Sequence, residues 1–182
     1  VMKKLIPLVP ALIAALIVAA GDYSHANSAR QAGRDLVQKY SDTGSAVWFQ
    51  GHWGFQYYVQ EGGGQTLDWQ RTTLDAGDLV VIAMNNYDSG RLSEDRFDIV
   101  DELEYEVFPY ASTLYPRNGA SFYSSLLGPL PYVFGTGQKE TYIVVKAKET
   151  YALSLLAERR DVAQHCNQEG GDEGLIKYKQ GN

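Results

Sequence analysis

Two short stretches hold the residues whose types and order point to chemistry. The first is "AVWFQGHWG", Ala46 to Gly54, in which His52 and Trp53 directly follow an apolar run. The second is "LVVIAMNN", Leu79 to Asn86, in which Asn85 and Asn86 do the same. In an open α/β sheet, ligands bind beyond the carboxyl ends of the strands, so these four residues form a candidate binding site. His52 supplies an imidazole that titrates near neutrality or shares hydrogen bonds, and Trp53 supplies a flat face for a sugar ring. The start of the helix that follows would attract a phosphate. A structural reading competes with this and is favoured. In it, Gly51 and Gly54 permit a tight strand-to-helix turn, His52 caps backbone groups and Trp53 packs in the core. A His-Trp pair with no specified partner is not a catalytic dyad, so no catalytic residue is assigned.

The remaining chemical candidates are weaker. "GGG", Gly62 to Gly64, lacks the spacing of a phosphate-binding loop and reads as a helix stop. Asp101, Glu102, Glu104 and Glu106 in "DELEYE" could hold a divalent cation, but a charged strand edge accounts for them better. Ser124 and Ser125 have no nucleophile-elbow context, and His25 and His165 lie near opposite ends of the chain. Cys166 is the only cysteine, which excludes an internal disulfide and reads as a thiol of low reactivity. Neither a metal site nor a cofactor is expected.

The elements that must position His52 and Asn85 follow from periodicity. "NSARQAGRDLVQKYSDTGS" predicts an amphipathic helix capped by Asn27 or Ser28, with Ala29, Ala32, Leu36, Val37 and Tyr40 on one stripe and Gly44 at its end. "AVWFQ" predicts a strand buried on both faces. "HWGFQYYVQE" predicts a helix with Trp53, Tyr57 and Val59 or Gln60 at helical spacing. "LDAGD" is a turn, "LVVIAM" is the strongest strand, and "ETYIVVKAK" is a closing strand with Tyr142, Val144 and Lys146 on one face. "FDIVDELEYEVFPY" has mixed periodicity, and "LYPRNGASFYSSLLGPLPYVFG" predicts a long ordered loop packed on the domain or on a membrane surface. The alternation predicts an α/β fold: a small Rossmann-like, mostly parallel sheet with flanking helices. The expected organisation is a transmembrane helix or signal-anchor over 1–22, an α/β domain over 27–150, and a helix with a disordered tail over 151–182.

Lys3 and Lys4 precede an uncharged apolar run from Leu5 to Ala20. As a helix, at about 1.5 Å per residue, it reaches roughly 24 Å, short of a ~30 Å hydrocarbon core without help from flanking residues. A signal peptide cut after Val18-Ala19-Ala20 and a retained anchor both satisfy the pattern. Either way the positive-inside rule places the domain outside the cytoplasmic (inner) membrane, on the periplasmic side. Net charge of −6 with scattered Lys and Arg excludes nucleic acid as a partner. Thirteen tyrosines and three tryptophans, concentrated between Tyr23 and Tyr151, point to an aromatic-rich core.

The strings "ANSARQAG", "WFQGHWGFQYYVQEGG", "LDAGDLVVIAMNN" and "GASFYSSLLGPLPYVFG" together resemble the C-terminal extracytoplasmic portion of bacterial polytopic GT-C glycosyltransferases. These are similar to dolichyl-phosphate-mannose protein mannosyltransferases and aminoarabinose transferases. The resemblance spans roughly Leu5 to Lys146. It implies that the chain is the last span and soluble accessory domain of an enzyme using a polyprenyl-phosphate sugar. The catalytic acidic loop of such enzymes, near their first membrane helix, has no counterpart here, so the fragment is expected to be silent alone. The implied partners are the lipid bilayer, the remaining membrane part of the transferase, and a polyprenyl-phosphate sugar or its acceptor. The alternative is a free-standing, membrane-anchored or secreted extracytoplasmic binding module.

Overall fold

The computed structural model describes residues 8–84, 92, 95–115, 119–121, 129–135 and 139–153. The chain divides into two compact units, Val1–Ala32 with Glu104–Glu140, and Gly33–Leu103 with Thr141–Asn182.

One helix, α1, runs from Leu8 to Tyr40, 33 residues without a break. A separate amphipathic helix beginning at Asn27 is therefore not what forms. Ser28 turns its hydroxyl back to donate to the His25 carbonyl at 2.7 Å, the habit of a serine inside a helix rather than at its start. The Arg30 guanidinium donates to the Asn27 side-chain oxygen, which occupies the group that would have capped. No proline interrupts the chain between Ala11 and Tyr40, so the apolar turns simply propagate into the polar ones. A 3₁₀ turn, Ser41–Thr43, and Gly44 in the left-handed region (φ 72°) end the helix where the sequence predicts.

The N-terminal half of α1 is apolar and uncovered. Leu8, Val9, Leu12, Ile13 and Leu16 are each more than half exposed. It is long and apolar enough to cross a membrane, and its apolar stretch is almost entirely uncovered.

The second unit carries most of a five-stranded sheet. Its strands are β1 (Val47–Gln50), β2 (Gln65–Thr66), β4 (Leu79–Ala83), β5 (Phe97–Glu106) and β10 (Lys139–Ala147), in the order β2-β1-β4-β10-β5. A 9-residue helix, α2 (Trp53–Glu61), links β1 to β2. β1 is parallel to β2 and to β4, with Phe49 opposite Val81, whereas β10 is antiparallel to β4, with Val144 opposite Val81. The fold is thus mixed α/β with a mixed sheet. The expected mostly parallel arrangement holds over β2-β1-β4 and gives way at β10. Among the described residues no helix follows β4 to carry the chain back over the sheet, which parallel pairing would require.

All five residues of β4 are buried, as its unbroken apolar run predicts. One face of the sheet packs Val80, Ile82, Ile143 and Val145 with Leu67, Leu74, Phe97, Tyr151 and Leu153. On the other face, Phe55 of α2 meets Phe49 edge-on at 5.9 Å and lies 4.7 Å from Tyr142, which with Val144 forms the inward face expected of the closing strand. Lys146 is exposed.

A two-stranded ribbon pairs β3 (Thr73–Leu74) with β11 (Tyr151–Ala152) and carries the fully buried Leu153 into the core, so the fold continues past 150. The helix and tail expected beyond it lie outside the described residues. In the first unit, the stretch expected to be an ordered loop, Leu114 to Gly135, holds one small antiparallel ribbon and one strand of a second, whose other strand lies just before it. β6 (Ala111–Ser112) pairs with β9 (Val133–Phe134), and β7 (Leu114–Tyr115) pairs with β8 (Ala120–Ser121).

Candidate functional site

The "GHWG" turn sits where β1 ends and α2 begins. Gln50 lies opposite Ile82, so the carboxyl ends of the parallel strands β1 and β4 are side by side, the location expected for a ligand crevice. His52 is the residue before α2, with extended backbone (φ −124°, ψ 173°), and its side chain makes no capping bond to the helix. Trp53, the first helical residue, has φ 58° and is the only non-glycine residue with positive φ among those described. Its side chain is 60% exposed, with the indole 6.5 Å from the imidazole. Asn85 and Asn86, the other two candidate residues, lie outside the described residues.

These positions depart from the structural account of the turn at His52 and Trp53. The left-handed conformation in the turn belongs to Trp53, at a cost of about 1–2 kcal/mol for a residue with a Cβ. His52 makes no capping bond to α2. Trp53 is not core. The reason is rotational: Phe55 and Val59 form the apolar stripe that meets the sheet, which turns the stripe one residue pair away, Trp53 and Tyr57, out to solvent. Tyr57 is 59% exposed, one turn along from Trp53. Trp53 and Tyr57 share helical spacing as expected, but the face they define is the outer one. A strained, exposed tryptophan beside a helix start with no acidic residue in its first turn can accept a flat apolar ring face and an anion together.

The glycine triplet does what the sequence predicts. Gly62 ends α2, with its N–H donating to the Tyr58 carbonyl at 3.3 Å, and Gly63 takes φ 95°. A Cβ at Gly62 would meet Val37 Cγ1 at 2.5 Å, and one at Gly33 would meet Tyr58 Cβ at 2.8 Å, so α1 and α2 touch almost backbone to backbone.

The acidic strand is a paired surface. Asp101 accepts from Lys39 Nζ at 2.6 Å and from the Tyr40 hydroxyl at 2.8 Å. Burial pushes its carboxyl upward, but those two hydrogen bonds and the Lys39 charge outweigh it and hold the carboxyl below the usual range. Lys139 lies 2.8 Å from Glu104 and 3.3 Å from Glu106, whose hydrogen bonds keep its ammonium charged above the ordinary lysine range. No group of three or more metal-ligating side chains occurs among the described residues. His25 pairs with Glu140 at 3.1 Å. Ser124, Ser125, His165 and Cys166 lie outside the described residues.

A residue that sequence reasoning missed is Asp78. This buried carboxylate accepts from Trp48 Nε1 and the Asp75 N–H, both at 3.0 Å, and from the Ala46 N–H at 3.3 Å. It locks the "LDAGD" turn to the start of β1, which fixes where "GHWG" begins. The turn glycine, Gly77 at φ 98°, was the only sequence signal.

Compared with known protein families, curated proteins and solved structures, the chain matches none.

Proposed function

We propose that the chain is a membrane-tethered extracytoplasmic binding domain, the last span and soluble accessory part of a polyprenyl-phosphate-sugar-dependent glycosyltransferase. It presents the sugar-phosphate to chemistry performed elsewhere. The observation that carries this reading is the outward, left-handed Trp53 at the start of α2, a costly conformation that leaves most of the tryptophan exposed. The indole and Tyr57 would hold the sugar ring, the α2 N–H groups would hold the phosphate, and His52 would donate or accept beside them. The parallel β2-β1-β4 part, with α2 crossing between β1 and β2, supplies the Rossmann-like portion of this reading. The apolar half of α1 supplies the tether to the inner membrane, with the domain on the periplasmic side by the positive-inside rule. The resemblance to GT-C transferases supplies the donor class.

Binding by the full chain in lipid nanodiscs tests it. Titration with a polyprenyl-phosphate hexose should quench tryptophan fluorescence, and Trp53→Ala should weaken binding at least about tenfold, the loss of about 1.4 kcal/mol. Unchanged affinity in both Trp53→Ala and His52→Ala would remove the site. Sugar transfer by the chain alone would remove the accessory role. Coding sequence upstream of Val1 separates the transferase from a free-standing module: many apolar spans favour the former, and a stop codon the latter.

A further inference from the structure

We propose that the β6–β9 ribbon of the first unit is an interfacial anchor, its aromatic side chains seated in the headgroup layer of the bilayer. This rests on the reading of α1 as a membrane span.

The ribbon is fastened to α1 just where the apolar run stops at Ala20. The backbone carbonyl of Ala111 presses on Gly21 so closely that no Cβ fits there. The Phe108 N–H donates to the Ser24 hydroxyl at 2.9 Å, and the Thr113 hydroxyl donates to Asp22 at 2.8 Å. From Ala20 to Ser24 the helix rises about 6 Å. The headgroup layer on each side of a bilayer is about 5–8 Å thick, from a total of about 40–45 Å around a hydrocarbon core of about 30 Å. Everything bolted between Gly21 and Ser24 therefore lies within about 6 Å of the end of the apolar run, at the boundary between hydrocarbon and headgroups when α1 spans.

The ribbon's chemistry suits that depth. Tyr110 is 66% and Phe134 57% exposed; Tyr110 packs edge-on against Phe108 and Phe134 against Tyr132, each pair 5.3 Å apart. Ala111 pairs with Phe134, and the Gly135 N–H donates to the Tyr110 carbonyl at 2.9 Å, so the two aromatic pairs flank one short ribbon. Leu130 extends it, 46% exposed. No charged residue occurs over 107–115 or 129–135 in a chain that is 21% charged overall. Aromatic rings with a polar edge gather at this interface, where one end meets acyl chains and the other water. The polar groups that would otherwise be stranded there, Asp22 and Ser24, are the ones the ribbon satisfies.

Nitroxide accessibility tests the anchor. The full chain with Cys166→Ser and Phe134→Cys is spin-labelled in phosphatidylcholine nanodiscs, and a second sample carries the label at Leu12→Cys. At Phe134, oxygen should relax the label more, and a hydrophilic nickel chelate less, than either relaxes free label in buffer. The Leu12 label should be shielded further still. A buffer-like Phe134 label beside a shielded Leu12 label overturns the anchor and leaves the span standing; buffer-like labels at both overturn the two together. Spectral broadening at Phe134 that disappears on dilution with unlabelled chain means a second copy covers the patch, and this also overturns the anchor. Where circular dichroism shows the Phe134→Cys chain misfolded, the label at Tyr110→Cys gives the same readout.

Discussion

Replacing Trp53 by glycine should leave the protein more stable than replacing it by alanine, the reverse of the order expected inside a helix. Both variants lose the indole. A side chain 60% exposed keeps about two-fifths of its surface covered, or about 100 Å² of a large aromatic, and its loss costs at most about 2.5 kcal/mol at ~25 cal/mol per Å². The variants differ in the Cβ. At φ 58° alanine retains a left-handed penalty of about 1–2 kcal/mol, which glycine lacks, while glycine gives back about 0.5–1 kcal/mol through its freer unfolded chain. A net advantage for Trp53→Gly of roughly 0.5–1 kcal/mol remains. In a chain of this length that is a gain of about 1–4 °C in melting temperature over Trp53→Ala. Thermal unfolding of the two variants in the same nanodiscs, followed by circular dichroism, measures it. Equal melting temperatures, or a more stable alanine variant, would refute the claim that the turn holds Trp53 under strain. Both variants should lose sugar-phosphate binding equally, which separates the strain from the face it presents.

Asp78→Ala should lower stability by about 3 kcal/mol or more in urea unfolding, because three hydrogen bonds, one from the Trp48 indole, lose their acceptor together. Gly62→Ala should cost about 1–3 kcal/mol through its collision with Val37, whereas Gly54→Ala, which meets nothing within 4 Å, should be neutral or stabilise by up to about 1 kcal/mol; paired melts read both. Asp101 contributes to acid stability with a fixed sign. Its folded carboxyl titrates below its unfolded value, so its contribution is complete above about pH 4 and fades as pH falls through the lower folded value. Asp101→Asn should flatten that acid limb of a stability-against-pH curve, and an unchanged limb would deny the Lys39 and Tyr40 pairing.

The sequence revealed elements whose local signals and tertiary role agree. The apolar run of β4, the stop at Gly62 to Gly64 and the Tyr142/Val144 face are of this kind, since in each the same side chains set both pattern and packing. β5 hid because it is a strand with a weak apolar face. Asp101, Leu103 and Tyr105 are half-buried while Glu102, Glu104 and Glu106 are exposed, and Ile99 and Val100, the residues that blur the alternation, are exposed as well. The unbroken α1 was hidden by capping residues that bond inside the helix instead. The location of the candidate site, past the end of β1, was legible. The orientation of Trp53 was not, because two i,i+4 pairs, 53/57 and 55/59, compete for the inner face, and only the rings of Phe49 and Tyr142 across the gap decide between them.

The two borders of the five-stranded sheet are unequal and both unwelcoming. On one side β2 offers just Gln65 and Thr66; on the other β5 sets Glu102, Glu104 and Glu106 along its exposed face. A visiting extended peptide finds too short a template at the first and repulsion at the second if it is acidic. Strand addition, the commonplace way for one chain to seize another, is thereby discouraged. A protein that associated with this domain would meet side chains there more readily than an open strand edge.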